Sequence, residues 1–172
     1  IFHLMTHAFF KALLFLSAGA VIIATHHQQD IFRLGGLRKT LPLVYACFLV
    51  SGGSLAALPF ITAGFYSKDA ILWQDLAADK PEFVFAGLIG ALLTSLYIFR
   101  LIIIVFHGNE QVHAHADRSV TQIVPLVILA ILSTRVGALI HPPLAGLFPL
   151  SPGTGLEDGK HLLELISIAV AC

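Results

Sequence analysis

Four long apolar stretches set the strongest limit on what this chain can fold into. They cover residues 1–25, 41–73, 83–106 and 120–140, and a fifth begins near Leu162. Each of the four can cross the roughly 30 Å hydrocarbon core of a bilayer, which needs about 20 helical residues. Helices are expected because a spanning segment must satisfy its own backbone groups and no barrel-like alternation is present. The sequence therefore predicts an all-α, polytopic transmembrane helix bundle, a single integral membrane domain over residues 1–172.

The composition points the same way. The chain is 57% hydrophobic and 12% charged, with a mean hydropathy of +0.88, which is outside the usual range of soluble domains. Its formal net charge is zero, so no basic surface is available for nucleic acid. The chain begins at Ile1 and stops inside an apolar run, so we expect a fragment cut at both ends. Cys47 and Cys172 have apolar neighbours and no metal-ligand spacing, which favours packing or lipid-facing roles.

The charges of the connections predict how the chain is oriented. The first connection carries Arg33, Arg38 and Lys39 against Asp30 alone, whereas residues 74–82 carry three acidic side chains against one lysine. Because cytoplasmic loops are enriched in lysine and arginine, we expect the first connection to face the cytoplasm. Alternation then places the second connection outside, the third inside and the fourth outside.

The second apolar stretch has the wrong length for a plain span. Residues 41–73 carry no charge before Lys68, and as one helix their 33 residues would extend about 50 Å. Two crossings would leave about 16 residues each, which is too few. Pro59 removes a backbone donor and Gly64 gives the chain conformational freedom, so we predict one discontinuous helix broken near residues 59–64. A simple proline kink is the alternative.

Three ionisable side chains, here termed the polar line, lie inside the first apolar stretch. His3, His7 and Lys11 follow one another at intervals of four residues, so they share one helix face over about 12 Å. Lys11 is about 22 Å from the polar end of the stretch, beyond the reach of a lysine stem, so it should face the bundle interior. Burial disfavours a charged lysine and histidine titrates near neutral pH, so we predict a proton relay.

Two other roles remain open for the polar line. The histidines could form hydrogen bonds across helices while Lys11 pairs with a carboxylate, a purely structural role. His3 and His7 also have a spacing that suits zinc or copper, but the segment lacks a third ligand and the glutamate of a metalloprotease motif. His113 and His115 lie in a hydrophilic connection and are expected to be solvated.

Lys68 is the second lysine expected inside the membrane. It follows Gly64 by four residues, in the second half of the discontinuous helix, and Asp69 beside it is a possible partner. Partial snorkelling towards the boundary at Trp73 is the alternative for this side chain. Arg135 lies near the end of its apolar stretch and is expected to reach the interface rather than to conduct protons.

Three segments together resemble a known family. They are "HLMTHAFFKALLFLSAGAVI", "QQDIFRLGGLRKTLP" and "LPFITAGFYSKDAIL", and the likeness runs to about Pro143. They are similar to the subunit L family of bacterial respiratory NADH-quinone oxidoreductase (complex I), whose mitochondrial counterpart is subunit five. The resemblance implies an antiporter-like proton pump, the distal one of three in the membrane arm, with a central lysine and histidine axis and two discontinuous helices.

Matched residue by residue, the resemblance assigns roles to positions of this chain. His3, His7 and Lys11 fall on the central histidine and lysine positions, Lys68 on the lysine of the second discontinuous helix, and Pro59 on its break. The first discontinuous helix, an upstream lysine and glutamate pair and a long lateral helix would lie outside this sequence.

The resemblance also implies the setting of the chain. NADH, FMN, iron-sulfur clusters and quinone would be bound by other subunits, so no cofactor is expected here. The partners would be other membrane-arm subunits and the lipid of the bacterial inner (plasma) membrane. We expect a non-redox subunit that is not active alone. A homologous multisubunit cation/proton antiporter and a membrane scaffold with structurally paired charges are the alternatives.

Overall fold

A computed structural model describes residues 2–59, 61–115 and 119–140, together with residues 165, 166 and 168. The described part is mostly helical. Its helices, in chain order, are α1 Phe2–Ala24, α2 Pro42–Ala56, α3 Ala63–Ala77, α4 Pro81–Phe106, α5 Val120–Leu132 and α6 Arg135–Ala138, with a 3-10 turn at Ile31–Arg33 between α1 and α2.

Local features explain several of the helix ends. Pro42 and Pro81 lie in the first turns of α2 and α4, where proline is tolerated because the first amides have no helical acceptor. After α1, His26 and His27 adopt φ values of 53° and 64°, a left-handed conformation that stops the helix. These features account for the starts of α2 and α4 and for the end of α1.

Two of these helices, α1 and α4, are long and apolar enough to cross a membrane, judged by length and composition. Only 22% of the most apolar segment of α4 is buried within the chain, which is low for the core helix of a soluble protein. Helices α2 and α5 are apolar but shorter than a full span. The all-helical prediction is confirmed for the described residues, whereas the number of crossings, their orientation and the single domain stay predictions.

The packing places α2 at the centre. The largest apolar cluster joins α1, the first connection, α2 and α4, and includes Phe10, Phe48, Ile102 and Phe106. A second cluster, formed by Leu13, Cys47 and Leu126, holds α5 against α1 and α2. Helix α3 contacts α1, α2, α4 and α6. These contacts bring the first turn of α1 close to the second turn of α3, where Ser67 lies.

The apolar stretch 41–73 is two helices in the structure. Residues 57–62, here termed the α2–α3 break, separate them, and Pro59 lies inside this break. Helix α2 ends because Ala57 adopts a left-handed φ of 62°, with its amide donating back to carbonyls of the last turn. Gly64 lies in the first turn of α3.

The apolar stretch 120–140 is also interrupted, although its sequence predicts one continuous span. Helix α5 ends at Leu132 and α6 starts at Arg135, so residues 133–134 form an α5–α6 break. The cause is local, because the Thr134 hydroxyl accepts the Val136 amide and so starts a new helix. The stretch beginning near Leu162 lies mostly outside the described residues. Its described residues, 165, 166 and 168, are helical.

Candidate functional site

The polar line occupies one face of α1, as its spacing predicts. The rings of His3 and His7 lie with their centroids 5.7 Å apart, and His7 packs edge-on against buried Phe10 at 5.1 Å. All three ionisable side chains are partly buried. Lys11 forms no hydrogen bond or ion pair with the residues that the structure describes. This face of α1 is therefore only partly covered by the described chain.

A hydrogen bond joins the polar line to α3. The His3 Nδ1 atom lies 3.0 Å from the hydroxyl oxygen of Ser67, a buried residue that also donates to the Gly64 carbonyl at 3.2 Å. When the hydroxyl proton is given to Gly64, the His3 ring must donate to Ser67, and the opposite arrangement needs only a hydroxyl rotation. Ser67 can thus donate and accept in turn between the two helices.

Lys68 points back to the end of α2. Its amine donates to the Leu55 carbonyl at 2.9 Å, one of the four carbonyls at the end of a helix that have no amide partner within it. A cation at a helix C-terminus is also favoured by the helix dipole. The structure therefore turns Lys68 towards the α2–α3 break, which is not the direction that snorkelling towards Trp73 would require.

A small cavity lies beside Lys68. It is lined by side chains of α3 and α4 and by the end of α2, including Lys68, Asp69, Leu88 and Ala91. Its volume of about 20 Å³ is enough for one water molecule. Most of the lining is apolar, and Lys68 and Asp69 are its two polar side chains, so a water in the cavity would lie against both of them.

Two backbone amides at the α2–α3 break have local partners. The Leu58 amide donates to the Gly53 carbonyl at 2.8 Å, and the Gly64 amide donates to the Ser54 hydroxyl at 3.1 Å. Gly64 also packs directly on the Ser54 carbonyl, so closely that a Cβ atom there would overlap it. Pro59 marks the break, but Gly64 and Ser54 hold its two halves together.

The structure thus gathers five side chains around the facing parts of α1 and α3. His7, His3, Ser67 and Lys68 follow one another from α1 into α3, with Lys11 one helical turn beyond His7. In the part of the chain that is described, no three His, Cys, Asp or Glu side chains come together to hold a metal ion. His113 pairs with Glu110 at 3.7 Å in the third connection, far along the chain from this group.

Sequence reasoning missed Ser67 and the Leu55 carbonyl. Ser67 is a small polar residue beside a lysine in an apolar stretch, and that placement is the signal that could have drawn attention to it. No sequence signal identifies which backbone carbonyl Lys68 will meet, because this contact depends on how sharply the chain turns at the α2–α3 break.

Comparison with known proteins defines the class. Residues 1–94 match the family model described as "NADH:quinone oxidoreductase/Mrp antiporter, TM", which is more than half of the chain and contains the whole candidate site. The chain therefore belongs to this family of antiporter-like membrane proteins.

The individual relatives are more specific. The chain is 60% identical over 171 residues to NADH-quinone oxidoreductase subunit L of Pseudomonas aeruginosa, and 60% identical over 172 residues to that of Escherichia coli K12. Each match covers 99% of this chain and 28% of the relative. NADH-ubiquinone oxidoreductase chain 5 of Dictyostelium citrinum is 43% identical over 155 residues, or 86% of this chain and 23% of the relative.

These matches confirm the resemblance to subunit L. They also extend it, because the similarity continues beyond Pro143 to nearly the whole sequence. The chain spans little more than a quarter of the length of the curated bacterial relatives that it matches.

Proposed function

We propose that this chain is part of a proton-translocating membrane subunit of NADH-quinone oxidoreductase. The observation that carries the proposal is the 3.0 Å contact between His3 and Ser67, which connects the polar line on α1 with the helix that bears Lys68. Without that contact, the chain would hold two unrelated groups of ionisable side chains. With it, titratable and hydroxyl groups form a series through otherwise apolar helices.

The proposed path runs from Lys11 through His7 and His3 to Ser67 and Lys68. Histidine gains and loses protons near neutral pH, and a hydroxyl can donate one proton while it accepts another. The 5.7 Å between the His3 and His7 ring centroids is a distance that one bridging water or a ring rotation can span. We assign the next position on the path to a water in the small cavity beside Lys68 and Asp69.

The setting that we propose is a multi-pass subunit of the bacterial inner membrane, in contact with lipid and with other membrane-arm subunits. Exposed apolar side chains along α4, such as Phe85, Leu93 and Leu96, support a lipid or protein environment for that helix. NADH oxidation and quinone reduction would take place on other subunits, which bind FMN and iron-sulfur clusters. This subunit would couple to them without redox chemistry of its own and would not be active alone.

A second function, a subunit of a multisubunit cation/proton antiporter, is supported by the family model, whose description covers both classes. The names of the relatives favour the oxidoreductase. Neighbouring genes decide cheaply between the two, because genes for NADH-oxidising peripheral subunits indicate the first and a cluster of small antiporter genes indicates the second.

The experiment that tests the proposal replaces Lys11 by methionine in the complete subunit of the assembled complex. Methionine preserves the length and apolar stem of the side chain but removes the proton carrier. We expect quinone-coupled proton pumping, measured in vesicles, to fall about tenfold or more, while NADH oxidation by a hydrophilic acceptor is retained. Undiminished pumping would favour the membrane scaffold instead.

Ser67→Ala tests the connection between the two helices. The substitution removes one hydroxyl from a buried site and leaves the His3 ring without its partner on α3. We expect pumping to fall by a smaller factor than for Lys11→Met, because a water can replace the hydroxyl in part. Ser95→Ala on α4, also at a buried serine, is the matched control. Equal pumping by the Ser67 and Ser95 variants would remove Ser67 from the path.

A further inference from the structure

The two helix breaks lie side by side and are joined through their backbones. Thr62 in the α2–α3 break and Thr134 in the α5–α6 break form an antiparallel bridge. The Ala63 amide donates to the Ser133 carbonyl at 3.1 Å, and the Arg135 amide donates to the Ile61 carbonyl at 2.9 Å. This pair of hydrogen bonds is here termed the Thr62–Thr134 bridge. It joins two helix breaks that are far apart in the sequence.

The bridge provides partners for two further backbone groups at the α2–α3 break. The Gly64 amide already has the Ser54 hydroxyl, but the Ala63 amide and the Ile61 carbonyl have their partners on the other break. Irregular backbone at membrane depth is tolerated only where protein or internal water receives its polar groups. The Ser133 carbonyl in the α5–α6 break and the Arg135 amide just after it provide these two partners.

We propose that residues 133–135 are a positioning element for the proton path, an inference that rests on the proposed function. Ala63 is the first residue of α3, and Ser67 and Lys68 follow within five residues on the same short helix. Gly64 holds the start of α3 against α2 on one side, and the bridge holds it on the other. The α5–α6 break thereby sets where Ser67 meets His3 and where Lys68 meets Leu55, although it contributes no proton-carrying group.

Arg135 holds the start of α3 through its backbone amide rather than through its charge. The side chain is exposed, with its guanidinium 5.8 Å from the Tyr66 ring centroid, whereas its amide forms half of the bridge. Arg135 is the first residue of α6, and Thr134 before it has an extended conformation with φ −87° and ψ −173°. Proline is therefore compatible with the local backbone at position 135.

Arg135→Pro in the complete complex tests the inference, with Arg135→Ala as the matched control. Proline removes the amide donor and puts a ring carbon in its place, so the Ile61 carbonyl must move away, while alanine removes only the side chain. We expect the proline variant to pump at least about twofold fewer protons per NADH oxidised by quinone. The alanine variant should pump as the parent does.

Hydrogen exchange separates this inference from the proposed function. In the proline variant, a peptide covering residues 61–70 should exchange at least about tenfold faster than in the parent, while α1 peptides are unchanged. Faster exchange with a normal proton ratio would show that the bridge does not position the path, and unchanged exchange would show that the bridge is not formed. Either result overturns the inference while leaving the Lys11 experiment valid.

A double variant covers the case in which Arg135→Pro fails to assemble. Directly opposed residues of an antiparallel bridge lie within disulfide range, so Thr62→Cys with Thr134→Cys should cross-link on oxidation with copper phenanthroline. We expect the cross-linked complex to pump protons at the parent ratio, because the disulfide preserves the contact. Failure to cross-link, or pumping lost on oxidation and restored by reductant, would overturn the proposal.

Discussion

Gly64→Ala is expected to prevent normal assembly of the complex. A Cβ atom at position 64 would overlap the carbonyl of Ser54, which belongs to the last turn of α2 and cannot move without disturbing that helix. Overpacking in a close-packed interior typically costs about 1–3 kcal/mol, and a clash with backbone lies at or above the upper end of that range. The same movement would stretch the hydrogen bond from the Gly64 amide to the Ser54 hydroxyl. Assembled complex in membranes, measured on native gels, should fall severely.

The matched control is Gly90→Ala on α4. An added Cβ atom at Gly90 has nothing within 4 Å in the described chain, so the same chemical change has no neighbour to displace. Gly19 on α1 is equally open and provides a second control. We expect both control variants to assemble as the parent does. Normal amounts of the Gly64→Ala complex would mean that Gly64 does not pack directly on the Ser54 carbonyl.

Replacing Lys68 has the second large effect that we expect. Lys68→Ala removes the proposed proton carrier and also leaves the Leu55 carbonyl without its donor in a partly buried place. Loss of a positioned proton-transfer group costs about 10²-fold or more in the step that it serves. Quinone-coupled pumping should therefore fall about tenfold or more, whereas NADH oxidation by a hydrophilic acceptor should change little.

Lys68→Arg separates the two roles of this side chain. Arginine can still donate to the Leu55 carbonyl, but a guanidinium does not release its proton in proteins. We expect the arginine variant to assemble better than Lys68→Ala and still to fail in pumping. Lys80→Ala, at an exposed position before α4, is the control for removing a lysine charge. Parent-level pumping by Lys68→Arg would restrict Lys68 to holding the end of α2.

Much of the fold is accessible from the sequence because the deciding signals are local. The apolar lengths give α1 and α4 nearly to the residue, and the excess length of residues 41–73 reveals that something must interrupt that stretch. The spacing of the polar line places its three side chains on one face of α1. These are consequences of helix geometry, which needs no knowledge of neighbouring segments.

The rest depends on contacts between distant parts of the chain. The α5–α6 break contains no proline or glycine within residues 133–134, and a serine and threonine pair is common inside membrane helices, so the sequence offers no warning. Ser67 has a role at the site only because α1 packs beside it, and no local signal specifies that contact. The surroundings of Lys11 also depend on other parts of the protein. The face of α1 that bears this lysine is only partly covered by the described chain.

The Thr62–Thr134 bridge also has a consequence for how the chain is made. Its two threonines are 72 positions apart, so the Ala63 amide can meet the Ser133 carbonyl only after α4 and α5 have been synthesised. At ribosomal rates of about 5–20 residues per second, that interval lasts on the order of 4 to 14 seconds. During it, the newly inserted segment around residue 62 holds polar backbone groups that water or an insertion factor must accommodate. The bridge can therefore form only after the later helices have left the ribosome.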